Sequence, residues 1–170
     1  HRDFVGGALV GITCLTSNVF EAYRLADRFR KAGSKVILGG PHITALPQEA
    51  LGHADSVVLG EAESVWKQVL RDFEDNKLQE IYTGEPLEDF FAPVYEYFLQ
   101  LGSAMLSNVG IPLDRGCKYH CDFCARISNW LRFIKMEHVL ELIKHLSLTQ
   151  HSFFSRKPMI RFFCDNIYSS

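Results

Sequence analysis

The order of apolar segments in the first half of the chain constrains its fold most. Three short apolar runs, at 8–13, 34–40 and 55–61, alternate with segments of helical periodicity at 18–33 and 62–77. A strand whose residues are nearly all apolar suits a parallel sheet that helices cover on both faces. Strands that alternate with helices also predict right-handed crossover connections. We therefore predict a partial flavodoxin-like or Rossmann-like α/β sheet over residues 1–82.

Small and polar residues follow the predicted strands, in the segments "TCLTSN", "GGPHIT" and "LGEAES". Ligands of such sheets bind at the carboxyl ends of the strands. The candidate binding residues there are Thr13, Leu15, Gly39, Gly40, His42, Gly60 and Glu61. Each also has a structural reading, since a glycine pair can form a tight turn and Glu61 can favour a helix N-terminus. Their expected meeting at one edge nevertheless predicts a binding site.

The second half has a different organisation. Residues 83–104 contain two prolines and several aromatic residues, and we interpret them as a linker that packs on a neighbouring domain. Residues 105–170 then predict a strand, the cysteine loop, an amphipathic helix from Met136 and a second strand near 158–163. The chain starts without methionine and stops after a strand. We therefore expect an internal fragment that has no turnover by itself.

Three cysteines, Cys117, Cys121 and Cys124, form the pattern C-x-x-x-C-x-x-C. Thiolates are soft ligands, and this spacing allows them to converge on one metal centre. A zinc site would need a fourth ligand, such as His120 or Cys164. An iron–sulfur cluster can be held by three thiolates that leave one iron open. A disulfide with a spare thiol is a third alternative, which fits a reducing compartment poorly.

Composition excludes several classes of partner and location. The formal net charge is −2 and the isoelectric point is near 6.4, so no basic surface for nucleic acid is predicted. The apolar runs are too short to span a membrane. Five cysteines, three of them clustered, favour a reducing compartment, and we expect a cytoplasmic protein. Cys14 and Cys164 are interpreted as structural residues.

The surroundings of the three thiols resemble the signature of the radical S-adenosylmethionine superfamily. Arg115 and Gly116 precede the first cysteine, and Phe123 precedes the last. The resemblance implies a TIM-like barrel, a 4Fe–4S cluster on the three cysteines, and S-adenosylmethionine chelating the fourth iron with its adenine against Phe123. It also implies a reductant such as flavodoxin or ferredoxin and a 5′-deoxyadenosyl radical that abstracts hydrogen from a small-molecule substrate. "RFFCDN" resembles the superfamily's second-strand motif, with Cys164 in place of an aspartate.

The first half resembles the cobalamin-binding-type domain that precedes the radical domain in one subfamily. Thr13 and Leu15 match its S-x-L element, and Gly39-Gly40 match the glycine pair near the nucleotide tail. The resemblance implies cobalamin as a cofactor, with methyl transfer or carbon-skeleton and ring chemistry as the reaction. The loop that carries a cobalt-ligating histidine in many members would lie before residue 1. Two alternatives remain open: a radical enzyme like those that methylthiolate tRNA, and a non-enzymatic zinc-binding module.

Overall fold

The structure is a computed structural model that describes residues 7–91, 108–122, 124, 130–148 and 159–164. Its contacts divide the chain into two compact units. The first contains the residues up to Leu87 together with Cys124, and the second contains the other described residues from Glu88 onward. No helix within these ranges has the length and apolar character needed to cross a membrane.

The first unit is built on a four-stranded parallel sheet with the order β1-β2-β3-β4. The strands are β1 Leu9–Thr13, β2 Lys35–Gly39, β3 Ser56–Gly60 and β4 Ile81–Gly84. The predicted α/β class and parallel sheet are therefore confirmed for this unit. The sequence analysis missed β4, and the predicted domain boundary at residue 82 falls inside that strand.

Helices cover both faces of this sheet. They are α1 Val19–Lys31, α2 Pro41–Ala45, α3 Pro47–Leu51 and α4 Trp66–Glu74. Val36 and Leu38 of β2 lie in the core that includes residues of α1, α2 and α3. Ile37, between them in sequence, lies in a second core with Val69 of α4. Successive side chains of a strand point to opposite faces, so the apolar run of β2 is explained by burial on both sides.

The second unit contains two small sheets and one long helix. β5 Asn108–Pro112 pairs in parallel with β8 Met159–Phe163, while β6 Asp114–Arg115 pairs antiparallel with β7 Arg132–Phe133. The helix, α5, spans Met136–Leu148. The predicted strand–helix–strand unit is thus present. The antiparallel pair was not predicted, and the barrel itself stays a prediction.

Part of the predicted linker packs in the core of the second unit. Phe90 and Phe91 are each 1% exposed and lie in one cluster with Ile111 and Leu142. Asp89, beside them, forms an ion pair with Lys135, with 2.9 Å between Oδ2 and Nζ. The aromatic residues at this end of the linker are therefore structural anchors, as their composition predicts. The domain boundaries themselves stay a prediction, and residues 92–104 of the linker lie outside the described residues.

Candidate cofactor-binding edge and cysteine loop

The carboxyl ends of the four parallel strands meet at one edge of the first unit's sheet. Thr13 is paired with Gly39, and Gly60 is paired with Gly84. Gly40 and His42 follow directly after β2 and begin the next segment of chain. The predicted placement of these residues at a single edge is confirmed, whereas a binding role for them stays a prediction.

Gly40 allows the first two strand ends to approach each other closely. Its φ of 104° and ψ of 178° lie in a region that only glycine adopts readily. A Cβ atom at this position would stand 2.6 Å from the carbonyl oxygen of Cys14 and 2.7 Å from Oγ1 of Thr13. The backbone N–H of Cys14 also donates a hydrogen bond of 3.0 Å to the carbonyl of Gly39. The predicted glycine pair thus has a steric role at the edge.

A second close backbone approach occurs at the ends of β3 and β4. Gly60 has a φ of 72°, and a Cβ atom there would overlap the carbonyl oxygen of Gly84. A Cβ atom at Gly84 would in turn overlap the carbonyl oxygen of Glu61. The N–H of Gly60 donates a hydrogen bond of 3.0 Å to Oγ1 of Thr44. Sequence reasoning missed Thr44 and Gly84; the glycine could have been noticed as the end of a short strand.

Apolar side chains are exposed where the chain leaves β1 and α2. Leu15 is 55% exposed, Phe20 in the first turn of α1 is 84% exposed, and Leu46 between α2 and α3 is 48% exposed. Thr13 is also exposed. Glu61 is half-buried, and its carbonyl accepts a hydrogen bond from Oγ of Ser64. The edge therefore offers both polar backbone and apolar side chains to a ligand.

His42 is enclosed by side chains of the first unit and is only 7% exposed. Its Nδ1 lies 3.0 Å from Oγ1 of Thr16, and its Nε2 lies 3.6 Å from Oε1 of Glu49. The ring of Tyr23 meets the imidazole edge-on, with 6.4 Å between centroids. Burial, together with the Glu49 carboxylate, raises the pKa of Tyr23 to about 12, so this phenol is neutral beside the imidazole. These contacts place His42 behind the exposed loops of the edge.

The base of the cysteine loop is held by glycine geometry and by stacked side chains. Gly116 has a φ of 95°, and a Cβ atom there would overlap the carbonyl oxygen of Trp130. The guanidinium of Arg132 lies 5.1 Å from the centroid of the Trp130 ring and 5.8 Å from that of Phe90. Arg115 lies over the same Phe90 ring at 4.9 Å. Cation–π contacts of this kind fix the start of the loop on the core of the second unit.

The three clustered cysteines differ in exposure. Cys117 is 7% exposed, whereas Cys121 and Cys124 are exposed. None of the five cysteines forms a disulfide bond in this structure. Among the described residues, no three His, Cys, Asp or Glu side chains converge as a metal site. The convergence of the three sulfur atoms and their role as cluster ligands stay predictions.

Of three further residues with a predicted role, two lie within the described residues. Cys14 is 3% exposed, and burial raises the pKa of its thiol, which agrees with a structural role. Cys164 is half-buried. Phe123, predicted to lie against adenine, falls outside the described residues.

The part of the chain that carries the sheet edge is similar to a known family. Residues 5–70 match the family model described as the B12 binding domain. This part of the chain is of the cobalamin-binding type. The match contains β1, β2 and β3 and includes every predicted edge residue from Thr13 to Glu61.

Three curated relatives are similar over a larger part of the chain. Bacteriochlorophyllide d C-8(2)-methyltransferase of Chlorobaculum tepidum is 37% identical over 124 residues, which cover 69% of this chain and 28% of the relative. Bacteriochlorophyllide d C-12(1)-methyltransferase of the same organism is 30% identical over 98% of this chain and 38% of the relative. An uncharacterized methyltransferase of Pyrococcus horikoshii is 25% identical over 85% of this chain and 37% of the relative. The chain thus spans well under half the length of these relatives.

A solved structure, the N-terminal domain of a hypothetical protein from Thermotoga maritima, is 23% identical. Its TM-score of 0.38, over 45% of this chain and 61% of that one, is too low to define the fold.

Proposed function

We propose that this chain forms the cobalamin-binding sheet and the opening of the radical domain in a methyltransferase of the radical S-adenosylmethionine type. The match of residues 5–70 to the B12 binding domain carries the proposal, because it covers the ends of β1, β2 and β3 at the candidate edge. The names of the three relatives, all methyltransferases, support methyl transfer as the reaction. The cysteine motif supports the radical type.

The edge residues fit a large ligand that combines a polar tail with an apolar body. Gly40 and Gly60 let neighbouring strand ends lie close together, and Thr13 is exposed beside Gly40. Leu15, which is exposed, would cover apolar ligand surface. When bound, cobalamin would supply a methyl group carried on cobalt. The chain would bind and orient it through the strand ends.

The cysteine loop would hold the second cofactor. Cys117, Cys121 and Cys124 would supply the thiolates, since none of them is in a disulfide bond and two of them are exposed. Three thiolates would leave one iron open for S-adenosylmethionine, whose adenine would lie against Phe123. A 4Fe–4S cluster held there would supply an electron for the reductive cleavage of S-adenosylmethionine, and a flavodoxin or ferredoxin would provide that electron.

The relatives also suggest a class of substrate. Two of them are named for bacteriochlorophyllide d, so a tetrapyrrole is the substrate class that we propose to test first. A complete enzyme of the relatives' length is the appropriate sample for that assay.

Cobalamin binding can be tested on the chain itself. We expect hydroxocobalamin to bind the purified chain. The change in the visible absorption of the cobalamin measures this binding. The variant Thr13→Val should weaken binding by about tenfold, the effect of one lost hydrogen bond. Lys77→Ala is the matched control, because this lysine is exposed and follows α4, away from the edge. Absence of binding by the unmodified chain would reject the proposal for the edge.

Cluster assembly is tested separately. After anaerobic reconstitution with iron and sulfide, we expect bound iron and sulfide in the unmodified chain and in Cys164→Ala. Neither should bind when Cys117, Cys121 and Cys124 are all replaced by alanine. Zinc bound in place of iron, with no acid-labile sulfide, would favour the zinc-binding module instead.

A further inference from the structure

Three contacts shape the loop after β1, residues 14–18, and two of them tie it to the rest of the edge. The N–H of Cys14 donates to the carbonyl of Gly39 at 3.0 Å, which joins the backbones of two strand ends. The N–H of Leu15 donates to Oδ1 of Asn18 at 2.8 Å, which closes the turn on itself. The third contact is between side chains: Oγ1 of Thr16 lies 3.0 Å from Nδ1 of His42. It is the contact among these three that joins the turn to α2.

The surroundings of His42 assign its two ring nitrogens different roles. Nε2 lies 3.6 Å from a carboxylate oxygen of Glu49, a distance too long for a hydrogen bond but short enough for attraction. A neutral imidazole has one protonated and one bare nitrogen, and the carboxylate favours the proton on Nε2. Nδ1 is then the acceptor, and the Thr16 hydroxyl donates to it. The hydroxyl is thereby oriented by a buried group rather than by solvent.

We propose that His42 is a positioning residue for the cobalamin edge rather than a residue that touches the ligand. Its side chain is enclosed, while Thr13 and Leu15, on the turn that it holds, are exposed. The imidazole therefore acts through Thr16, by fixing the turn where the ligand would meet it. When the turn is already fixed, less conformational entropy is lost on binding. This inference rests on the proposed cobalamin-binding function.

A pair of substitutions separates the two ring nitrogens. His42→Asn retains a polar group near the position of Nδ1, whereas His42→Gln retains one near the position of Nε2. Thr16→Val removes the hydroxyl and keeps the shape of the side chain. We expect His42→Gln and Thr16→Val each to weaken hydroxocobalamin binding by about tenfold, and His42→Asn to stay within about threefold of the unmodified chain.

The double variant Thr16→Val/His42→Gln should bind no more weakly than either single variant, because both remove the same contact. Amide hydrogen exchange of residues 14–18, without any ligand, gives a second readout. Exchange should accelerate in Thr16→Val and His42→Gln but not in His42→Asn. Urea unfolding of each variant would reveal a general loss of stability, which would affect amides throughout the sheet.

The outcomes separate the two proposals. If the unmodified chain does not bind hydroxocobalamin, the proposed function fails, and the exchange of residues 14–18 still decides whether His42 fixes the turn. If it binds, equal effects of His42→Asn and His42→Gln would overturn the positioning role of Nδ1. Additive losses in the double variant, or unchanged exchange in Thr16→Val, would overturn it as well.

Discussion

Substitution of Gly40 by alanine should destabilise the first unit strongly, because the glycine serves both a conformational and a steric requirement. With φ at 104° and ψ at 178°, a residue with a side chain is strained by about 1–3 kcal/mol. The new Cβ atom would also stand 2.6 Å from the carbonyl oxygen of Cys14. Cys14 and Gly40 directly follow Thr13 and Gly39, the last pair of the β1–β2 register, so neither can move far without disturbing the sheet.

The steric cost adds to the strain. Forcing an extra carbon into a packed site costs about 1–3 kcal/mol. Alanine also restricts the unfolded chain, which offsets the cost by about 0.4–1 kcal/mol. We therefore expect Gly40→Ala to lower the free energy of unfolding by about 1–6 kcal/mol. Gly39→Ala is the matched control, since its Cβ atom would lie 3.5 Å from the nearest atom, the carbonyl oxygen of Val58, and its φ is not positive.

The assay is equilibrium unfolding in urea, with the fluorescence of Trp66 as the reporter for the first unit. Trp66 packs against that unit's core, whereas Trp130 belongs to the second unit and is replaced by phenylalanine in the background. We expect Gly39→Ala to change the free energy of unfolding by less than about 1 kcal/mol. The reasoning would be refuted if Gly40→Ala proved as stable as its parent, or if the two alanine variants were equally destabilised.

Three further predictions concern packing and pH. Phe90→Ala should destabilise the second unit by about 3–5 kcal/mol, because Phe90 is a buried aromatic residue. Phe133→Ala is the control and should have little effect, because Phe133 is 57% exposed. Unfolding followed by the fluorescence of Trp130 measures both changes. Burial acts to raise the pKa of Asp55, but hydrogen bonds from Lys35 and the backbone, with nearby positive charge, lower it overall. Ionised Asp55 therefore stabilises the fold above the pKa of an unfolded aspartate, and this contribution declines as the pH falls through the folded pKa. The difference in stability between Asp55→Asn and the parent should shrink from pH 7 towards pH 3. The folded pKa of Tyr23, about 12, lies above that of an unfolded tyrosine, so Tyr23→Phe should show a smaller loss of stability than the parent between pH 10 and pH 12.

The strands that sequence could predict are those buried on both faces. β2 and β3 carry continuous apolar residues because α1, α2 and α3 cover one face and α4 covers the other. β4 was missed because only two of its four residues, Tyr82 and Gly84, are buried, and so short an alternation is weak in sequence. Its place in the sheet depends on tertiary contacts, among them the hydrogen bond of 2.7 Å that the Tyr82 hydroxyl donates to Asp72.

The candidate edge could be predicted in position but not in detail. Thr13, Gly39 and Gly60 are at strand ends, and strand ends follow from the periodicity. The direction in which a side chain points does not follow from the periodicity. His42 was predicted to contact a cofactor, yet its burial and its contact with Thr16 depend on how α2 packs against the turn after β1. In the same way, cysteine spacing limits how far apart three thiols can lie but does not bring them together.

The same kind of close backbone contact occurs at two pairs of neighbouring strand ends. Gly40 lies against the carbonyl of Cys14, and Gly60 lies against the carbonyl of Gly84, so that each contact joins the ends of neighbouring strands. Both contacts depend on a backbone that glycine adopts without strain and that a larger residue would disrupt. Exposed side chains of the edge, such as that of Leu15, lie outside these backbone contacts. In the proposed methyltransferase, this fixed backbone would present the exposed residues of the edge to cobalamin, so a Leu15 variant should change ligand binding without the loss of stability expected for Gly40→Ala.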